Sequence, residues 1–453
     1  RSSGSDQKRK NKKGEMNSKD TIVAAATPLG FSGLAVVRVS GSLAFEIAKK
    51  VTHKKKIRDR KATLVDIFNI NNEKLDQAII TLFASPSSYT GEDVVEVSSH
   101  GNPAIVEAII SSFCSFGGRL AEPGEFTYRS FINGKIDLIQ AEAVASLIKS
   151  KSIEGAKEQQ KILGGQLSKS INKIRASLIN LVSSVEHQLD ISEEDVSPDF
   201  EETAKETLDL LYKDTLEISK TFTMGKMLNT GVSVVITGPP NVGKSSLLNY
   251  LCGEEKAIVS STPGTTRDII GGELILSGVP FRFYDTAGIR SARGLVEKEG
   301  VSRAIAQKKE ADLIISVFDK PSAKFENKTN KPCLFILNKS DLHSQTPPKP
   351  IIHISCKNKT GLPKLLSEIK RKLQLHSVSS DVALLSTPRQ MVALETCAAN
   401  MVRAKDLFVV SPPQLELLSL ELRGAIEALD TLLGKTTPED IINNIFKTLC
   451  VGK

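Results

Sequence analysis

The stretch VSVVITGPPNVGKSSLLNYL, Val232 to Leu251, decides how the middle of the chain folds. VSVVIT is dominated by β-branched residues and reads as a buried strand, whereas SLLNYL reads as a helix. Between them Gly238, Gly243, Lys244 and Ser245 fall at the GxxxxGK[ST] spacing. A strand, a glycine-rich turn and a helix start, in that order, let backbone N–H groups wrap phosphate oxygens in front of the positive end of a helix dipole. The loop Asn241, Val242, Gly243, Lys244, Ser245 and Ser246 is therefore the expected phosphate cradle. Lys244 is placed to reach the β- and γ-phosphates, and Ser245 to give its hydroxyl to Mg²⁺.

Further along, FRFYD, DLIISVFD, CLFIL and IIHIS alternate with helical stretches, the pattern of a mostly parallel α/β sheet. Three more motifs follow strands, where open α/β sheets bind ligands. DTAG (Asp285, Thr286, Ala287, Gly288) offers a carboxylate to the magnesium shell and a glycine amide to a γ-phosphate. NKSD (Asn338, Lys339, Asp341) ends in a carboxylate able to accept from N1–H and the 2-amino group of guanine, a donor pair that adenine lacks. SCK (Ser355, Cys356, Lys357) closes over the base. The segment SSTPGTT (Ser260, Ser261, Thr262, Pro263, Gly264, Thr265, Thr266) lies between the phosphate loop and DTAG, the position of a switch whose Thr266 completes the magnesium shell. These motifs together specify a GTP site. Ile289 follows DTAG where Ras-like enzymes carry a water-orienting Gln, and no arginine finger is evident, so another group must supply that role. Asn241 offers a side-chain carbonyl for a monovalent cation beside the phosphates.

Around this G domain, 230–375, the chain reads differently. Residues 20–134 look like short strands and turns with a helix near 102–116, a compact α+β domain. From Pro123 to Pro198 there is no internal proline, and apolar residues recur at helical spacing. Helical patterning returns after about 375. The architecture expected is multidomain α+β and α/β: an N-terminal domain, a discontinuous helical domain of 135–229 and 376–453, and a Ras-like P-loop domain inserted between its halves.

Composition is that of an ordinary globular protein, with 40% hydrophobic and 25% charged residues and no Trp. Residues 1–20 hold seven Lys/Arg against three Asp/Glu, which is half of the net charge of +8. Residues 1–19 read as a disordered basic tail or a remnant of cloning. The mildly basic body is compatible with a nucleic-acid partner. The run HKKKIRDRK, 53–61, reads either as a solvated loop or as an RNA contact. Six scattered cysteines without a CxxC pair point to a reducing, cytoplasmic setting, and no apolar run reaches the length of a membrane span.

Several stretches outside the phosphate loop carry a family resemblance: SYTGEDVVEVSSHG (88–101), PGEFTYRSFINGKIDLIQAEAV (123–144), GTTRD (264–268) and the terminal CVGK. With them the chain resembles, over essentially all of 20–453, the MnmE (TrmE) family of tRNA modification GTPases. Asn102 stands where that family usually has a second glycine, and Val451 where it usually has Ile. The resemblance implies a potassium-activated GTPase with its ion ligands on Asn241, Ser260, Thr262 and Thr265, and a water-orienting Glu297. It implies an N-terminal folate-binding and dimerisation domain in which Arg38, Glu96, Lys135 and the terminal Lys453 meet 5-formyl- or 5,10-methylene-tetrahydrofolate. It implies a homodimer acting with an MnmG-like, FAD-containing partner in a heterotetramer, on C5 of the wobble uridine of certain tRNAs. The tail would bring Cys450 to the one-carbon unit across the homodimer interface, as nucleophile or as packing group. The competing reading, an Era/Der-like GTP switch in ribosome assembly, shares NVGKSSLLN and DTAG. It leaves CVGK and 88–144 unexplained, and the KH segment or second G domain of such proteins is missing.

Overall fold

Strand β1 (Ile22–Ala25) and strand β2 (Ser32–Ser40) open the first sheet. In β2 the residues Ala35, Val37 and Val39 are buried, and the alternate position Arg38 faces the other side. Each of the two buried valines contributes about 1.5–3 kcal/mol. The computed structural model describes residues 20–191, 198–254, 272–285, 311–320, 330–343, 351–375, 383–409 and 414–452. The chain forms two compact units, Arg1–Ala145 with Ile426–Lys453, and Ser146–Ala425.

In the first unit, α1 (Ala44–Thr52), β3 (Thr63–Phe68), β4 (Lys74–Phe83), β5 (Val94–Gly101), α2 (Pro103–Ser115), β6 (Arg119–Leu120) and α3 (Glu125–Ile132) follow, and α4 (Leu138–Lys149) leads out of it. The sheet order is β3-β4-β5-β2-β1-β6. All pairs are antiparallel except β1 with β6. Helices α1 and α2 bury Ile47, Val51, Val106, Ile109 and Phe113 against Val37, Val39, Val95 and Val97 on one face. Asn102 caps α2 by accepting from the Ala104 N–H, with Pro103 in the first turn. A side-chain acceptor is what an N-cap needs and glycine lacks, which accounts for Asn at that position.

The second unit begins with α5 (Ile153–Leu163), α6 (Gln166–Ile191), α7 (Pro198–Lys220) and α8 (Phe222–Thr230). The second sheet then runs β7 (Val232–Thr237), α9 (Lys244–Glu254), β8 (Gly272–Leu276), β9 (Val279–Asp285), β10 (Leu313–Phe318), β11 (Cys333–Leu337), β12 (Ile352–His353) and α10 (Leu362–Lys372). Its order is β12-β11-β10-β7-β9-β8, parallel except for the β8–β9 hairpin. Because the strands are parallel, the segments leaving β7, β9, β11 and β12 emerge at one edge. That edge collects the nucleotide motifs.

The chain leaves this sheet through 383–386 and is stitched back to where it entered. Glu158 Oε1 accepts from the Leu384 N–H at 2.5 Å, Thr221 Oγ1 from the Leu385 N–H at 3.0 Å, and Asn229 Nδ2 donates to Ser386 O at 3.2 Å. Entry and exit side by side are what an insertion into a helical scaffold requires. Helix α11 (Pro388–Asp406) starts with a capping box of Thr387 and Gln390. It packs along α7, and α12 (Leu415–Leu433) follows. The last helix, α13 (Glu439–Lys447), belongs to the first unit, where Phe446 is fully buried against Tyr128 and Phe131 of α3. Its apolar face packs on α3. Among the described residues no helix is long and apolar enough to cross a membrane.

Candidate functional site

The phosphate loop joins β7 to α9. Gly238 and Gly243 take positive φ, and a Cβ on either would overlap the Val317 carbonyl or the Asn338 side-chain amide. Only glycine lets the loop approach its neighbours this closely. Lys244 is buried and its Nζ donates to Gly238 O at 3.1 Å and Pro239 O at 2.8 Å, so the loop itself holds the ammonium over the cradle.

Asn338 ties this loop to the base-reading loops. Its Nδ2 donates to Val242 O at 2.9 Å and its Oδ1 accepts from the Cys356 N–H at 3.3 Å. Lys339 adds a second tie, with Nζ donating to Asn241 O and to Asp319 Oδ2, both at 2.9 Å. Asp341 Oδ1 accepts from Ser355 Oγ at 2.5 Å, and that hydrogen bond holds its carboxyl below the usual aspartate range. Ser355 Oγ in turn accepts from the Asn358 N–H. One oxygen of Asp341 is thus fixed by the protein, and the other meets no further side chain among the described residues. Burial pushes the Cys356 thiol up to about 11, so it packs beside the loop as a neutral group. Asn338 and Lys339 therefore tie the phosphate loop to the loop that carries Cys356, and Ser355 in that loop holds Asp341. Ser260, Ser261, Thr262, Pro263, Gly264, Thr265, Thr266, Thr286, Ala287, Gly288 and Glu297 lie outside the described residues; Asp285 closes β9.

A second site lies on the face of the first sheet opposite α1 and α2. Arg38 on β2 and Glu96 on β5 are direct cross-strand partners. Arg38 Nε and Nη2 both donate to Glu96 Oε1, at 2.9 and 2.8 Å, and Nη1 donates to Gly452 O at 3.1 Å. The guanidinium lies 5.4 Å from the Tyr89 ring and 5.9 Å from that of Phe126, a cation held between two aromatic rings. Tyr89 OH pairs with Thr127 Oγ1 at 2.9 Å. Burial raises the Tyr89 pKa against the opposing pull of Thr127 and Arg38, which keeps the phenol neutral.

The tail docks on the sheet of its own chain. The Gly124 N–H donates to Cys450 O at 3.3 Å, and Gly452 takes φ +92 against Ala25 and Ala26. Cys450 is exposed. Lys453 lies outside the described residues. Lys135 is committed elsewhere, its Nζ donating to Pro86 O at 2.9 Å.

Beneath this site is a buried ion network that the motif reading passed over. Arg129, 2% exposed, donates to Glu92, to Glu125 and to Asp20 O. Arg119 grips Glu125 with both Nη groups at 2.9 and 2.6 Å. Burial alone would raise the Glu125 pKa, but Arg119, the Glu122 N–H and Arg129 outweigh it and hold the carboxyl below its ordinary value. The i,i+4 spacing of Glu125 and Arg129 was the signal available in the sequence. Tyr89 and Phe126 carried none.

The comparisons fall on the same regions. The MnmE helical domain family matches 138–450, and the family described as GTP-binding protein TrmE N-terminus matches 21–135. The tRNA modification GTPase MnmE of Francisella philomiragia is 38% identical over 455 residues, spanning 97% of this chain and all of that protein. The tRNA modification GTPase MnmE of Aquifex aeolicus is 39% identical over 448 residues, spanning 96% of this chain and all of that protein. With one family matching well over half of its length and relatives this similar from end to end, the chain belongs to the MnmE family of tRNA modification GTPases.

Proposed function

We propose that this chain hydrolyses GTP and couples that cycle to modification of tRNA. The observation that carries the reading is Asn338, which links the phosphate loop at Val242 to the base-closing loop at Cys356. With Asp341 oriented by Ser355, the assembly selects guanine over adenine. Backbone N–H groups of the loop would hold the phosphates, and Ser245 with Thr266 would hold Mg²⁺, whose charge would stabilise the transferring phosphoryl group.

The finer reading follows the family. Asn241 is left-handed at φ 61 and its backbone carbonyl is taken by Lys339, while its side chain makes no hydrogen bond among the described residues. That leaves the side-chain oxygen for K⁺, with Ser260, Thr262 and Thr265 completing the set. Ile289 has no group to orient water, and Glu297 takes that role. The Arg38 site fits a tetrahydrofolate: Glu96 Oε2 accepts no hydrogen bond among the described residues and the carboxylate is 30% exposed, so it can accept from the amide and amino groups of a pterin. Arg38 and Lys453 would hold the remainder, joined by Lys135 once its Nζ leaves the Pro86 carbonyl, and a bound folate would supply a one-carbon unit. Cys450 packs or reacts beside it. The exposed cross-strand pair Leu64–Ile79, 61% and 45% accessible, supports a homodimer formed through the N-terminal domain. The product is an aminomethyl-type group at C5 of the wobble uridine, made in the cytoplasm with an MnmG-like, FAD-containing partner.

The test is the wobble nucleosides of tRNA from cells lacking the gene. The modified nucleoside should vanish, return with the unaltered chain, and stay absent with Lys244→Ala. Unchanged nucleosides in the deletion strain would overturn the reading.

A further inference from the structure

Helix α1 ends at Thr52 and β3 begins at Thr63, and the connection between them carries six Lys/Arg, one His and one Asp in nine residues, 53–61. A like-charged run repels itself and is usually an unstructured, solvated segment. This one is pinned at three points. His53 ends α1 in the left-handed region, and its ring stacks on Phe68 with centroids 4.3 Å apart and planes at 6°. Ile57 turns inward against the sheet core. At the far end, Asp59 Oδ1 accepts from the Ala84 N–H, the Arg60 N–H donates to Leu82 O, and the Arg60 guanidinium lies over Phe83 and donates to Ser87 O.

Between the pins and just past the last, Lys54, Lys55, Lys56, Arg58 and Lys61 are exposed, and their side chains make no hydrogen bond or ion pair among the described residues. The acids nearby are already engaged. Asp59 serves the backbone, Asp66, which Lys54 also faces, pairs with Lys74 at 2.7 Å, and Glu46 pairs with Lys49 at 2.7 Å. The result is a strip of five uncompensated cations whose backbone shape is fixed from below.

Phosphate backbones are bound by such a strip: exposed cations, shape rather than side-chain complementarity, and release of condensed counterions. A membrane surface is the poorer match, because the one large apolar residue of the run, Ile57, points into the core and offers nothing to the acyl region. We propose that 54–61 is the surface through which this chain holds the phosphate backbone of its RNA substrate. The inference rests on the tRNA reading above and adds the place of contact.

The test uses the full chain, an unmodified tRNA transcript and a KCl series, with K55Q/K56Q/R58Q compared against K364Q/K370Q/K372Q. The control removes the same charge from α10, where Lys364 and Lys372 are exposed. If all three loop cations meet phosphates, the slope of log affinity against log salt falls by about 2–3, equivalent to about 10²-fold weaker binding near 0.15 M salt. The α10 variant should stay within about twofold. Both should hydrolyse GTP at the unaltered rate, which reports that they fold, and R58Q alone should lower the slope by about 0.9. Unchanged tRNA affinity in the loop variant sinks the proposal, as does an equal loss in the control. Loss of binding to vesicles containing phosphatidylserine, with tRNA binding intact, would assign the strip to a membrane instead. An unaltered chain that does not bind the transcript at low salt takes down the tRNA reading itself, not merely the place of contact.

Discussion

Gly452→Ala should release the tail from the sheet. Gly452 has φ +92, and a Cβ there would overlap the Ala25 carbonyl oxygen and stand 2.8 Å from Ala26 Cα. Both obstacles are backbone, so neither yields to a side-chain rotation. Left-handed backbone costs an alanine about 1–2 kcal/mol. Even a docked tail must shift to clear these two atoms, and that shift forfeits the hydrogen bond from the Arg38 guanidinium to Gly452 O, a charge-assisted bond worth about 1.5–3 kcal/mol. The total, about 3 kcal/mol or more, corresponds to roughly 10²-fold in the docking equilibrium. The loss should be local, because Phe446 and Leu449 are 0% and 5% exposed and anchor the chain just before the tail. Hydrogen exchange of the Gly124 amide is the assay, since that N–H donates to Cys450 O. Its protection should drop by about two orders of magnitude, while amides of α13 keep theirs. Val451→Ala, at a side chain 51% exposed, should leave it unchanged. Equal Gly124 protection in Gly452→Ala and the unaltered chain would show that the tail is not held by this docking.

Asp341→Asn should weaken GTP and strengthen xanthosine triphosphate, because the amide donates to the xanthine oxygen where the carboxylate repels it; a titration with unchanged GTP affinity removes Asp341 from base reading. Hydrolysis should run much faster in KCl than in NaCl at matched ionic strength, Na⁺ being too small for the same oxygen cage, and equal turnover would exclude the assigned role of Asn241. Glu125→Gln should destabilise the first unit by about 3–5 kcal/mol at pH 7, the penalty for leaving Arg119 and Arg129 against a neutral partner, read as a lowered denaturant midpoint. Since the folded-state pKa of Glu125 is depressed, its contribution is complete above the unfolded carboxyl range and fades as pH falls through the folded value. The variant and the unaltered chain should therefore converge in stability toward acid pH, and a gap that stays constant from pH 7 to pH 3 would contradict the assignment.

What the sequence disclosed depended on how far apart the partners lie along the chain. The phosphate loop is a local object: strand, glycines, lysine and helix start are contiguous, and their order is sufficient to specify the turn. The second sheet was legible for the same reason, as its parallel strands are short apolar runs. The ties made by Asn338 were not, because its partners lie 96 and 18 residues away and nothing in NKSD names them. The basic run was visible as charge, but its three pins were not. The stack of His53 on Phe68 and the inward turn of Ile57 depend on sheet geometry that nine residues do not encode. The tail was the hardest case, since Arg38 and Gly452 are 414 residues apart.

On the proposed reading, the two candidate sites solve one problem in the same way. Guanine and a pterin both present an N–H beside an amino group, and a carboxylate accepts from that edge with selectivity only if it cannot swing. In each site the protein fixes one carboxylate oxygen and leaves the other. Ser355 Oγ holds Asp341 Oδ1, and the Arg38 guanidinium holds Glu96 Oε1. The fixed oxygen removes rotational freedom before the ligand arrives, so less entropy is lost on binding. The holding groups differ because the surroundings do. Asp341 is exposed at a strand end, where a hydroxyl is sufficient to aim it. Glu96 sits on the face of a sheet beside Arg38, whose guanidinium lies over two aromatic rings; a lone carboxylate there would be costly to desolvate, and the arginine compensates it. That arginine has a third N–H direction to spare, and Gly452 takes it. On the proposed reading, the residue that readies Glu96 for folate is thus the one that positions the end of the chain, so ligand recognition and tail docking depend on the same side chain.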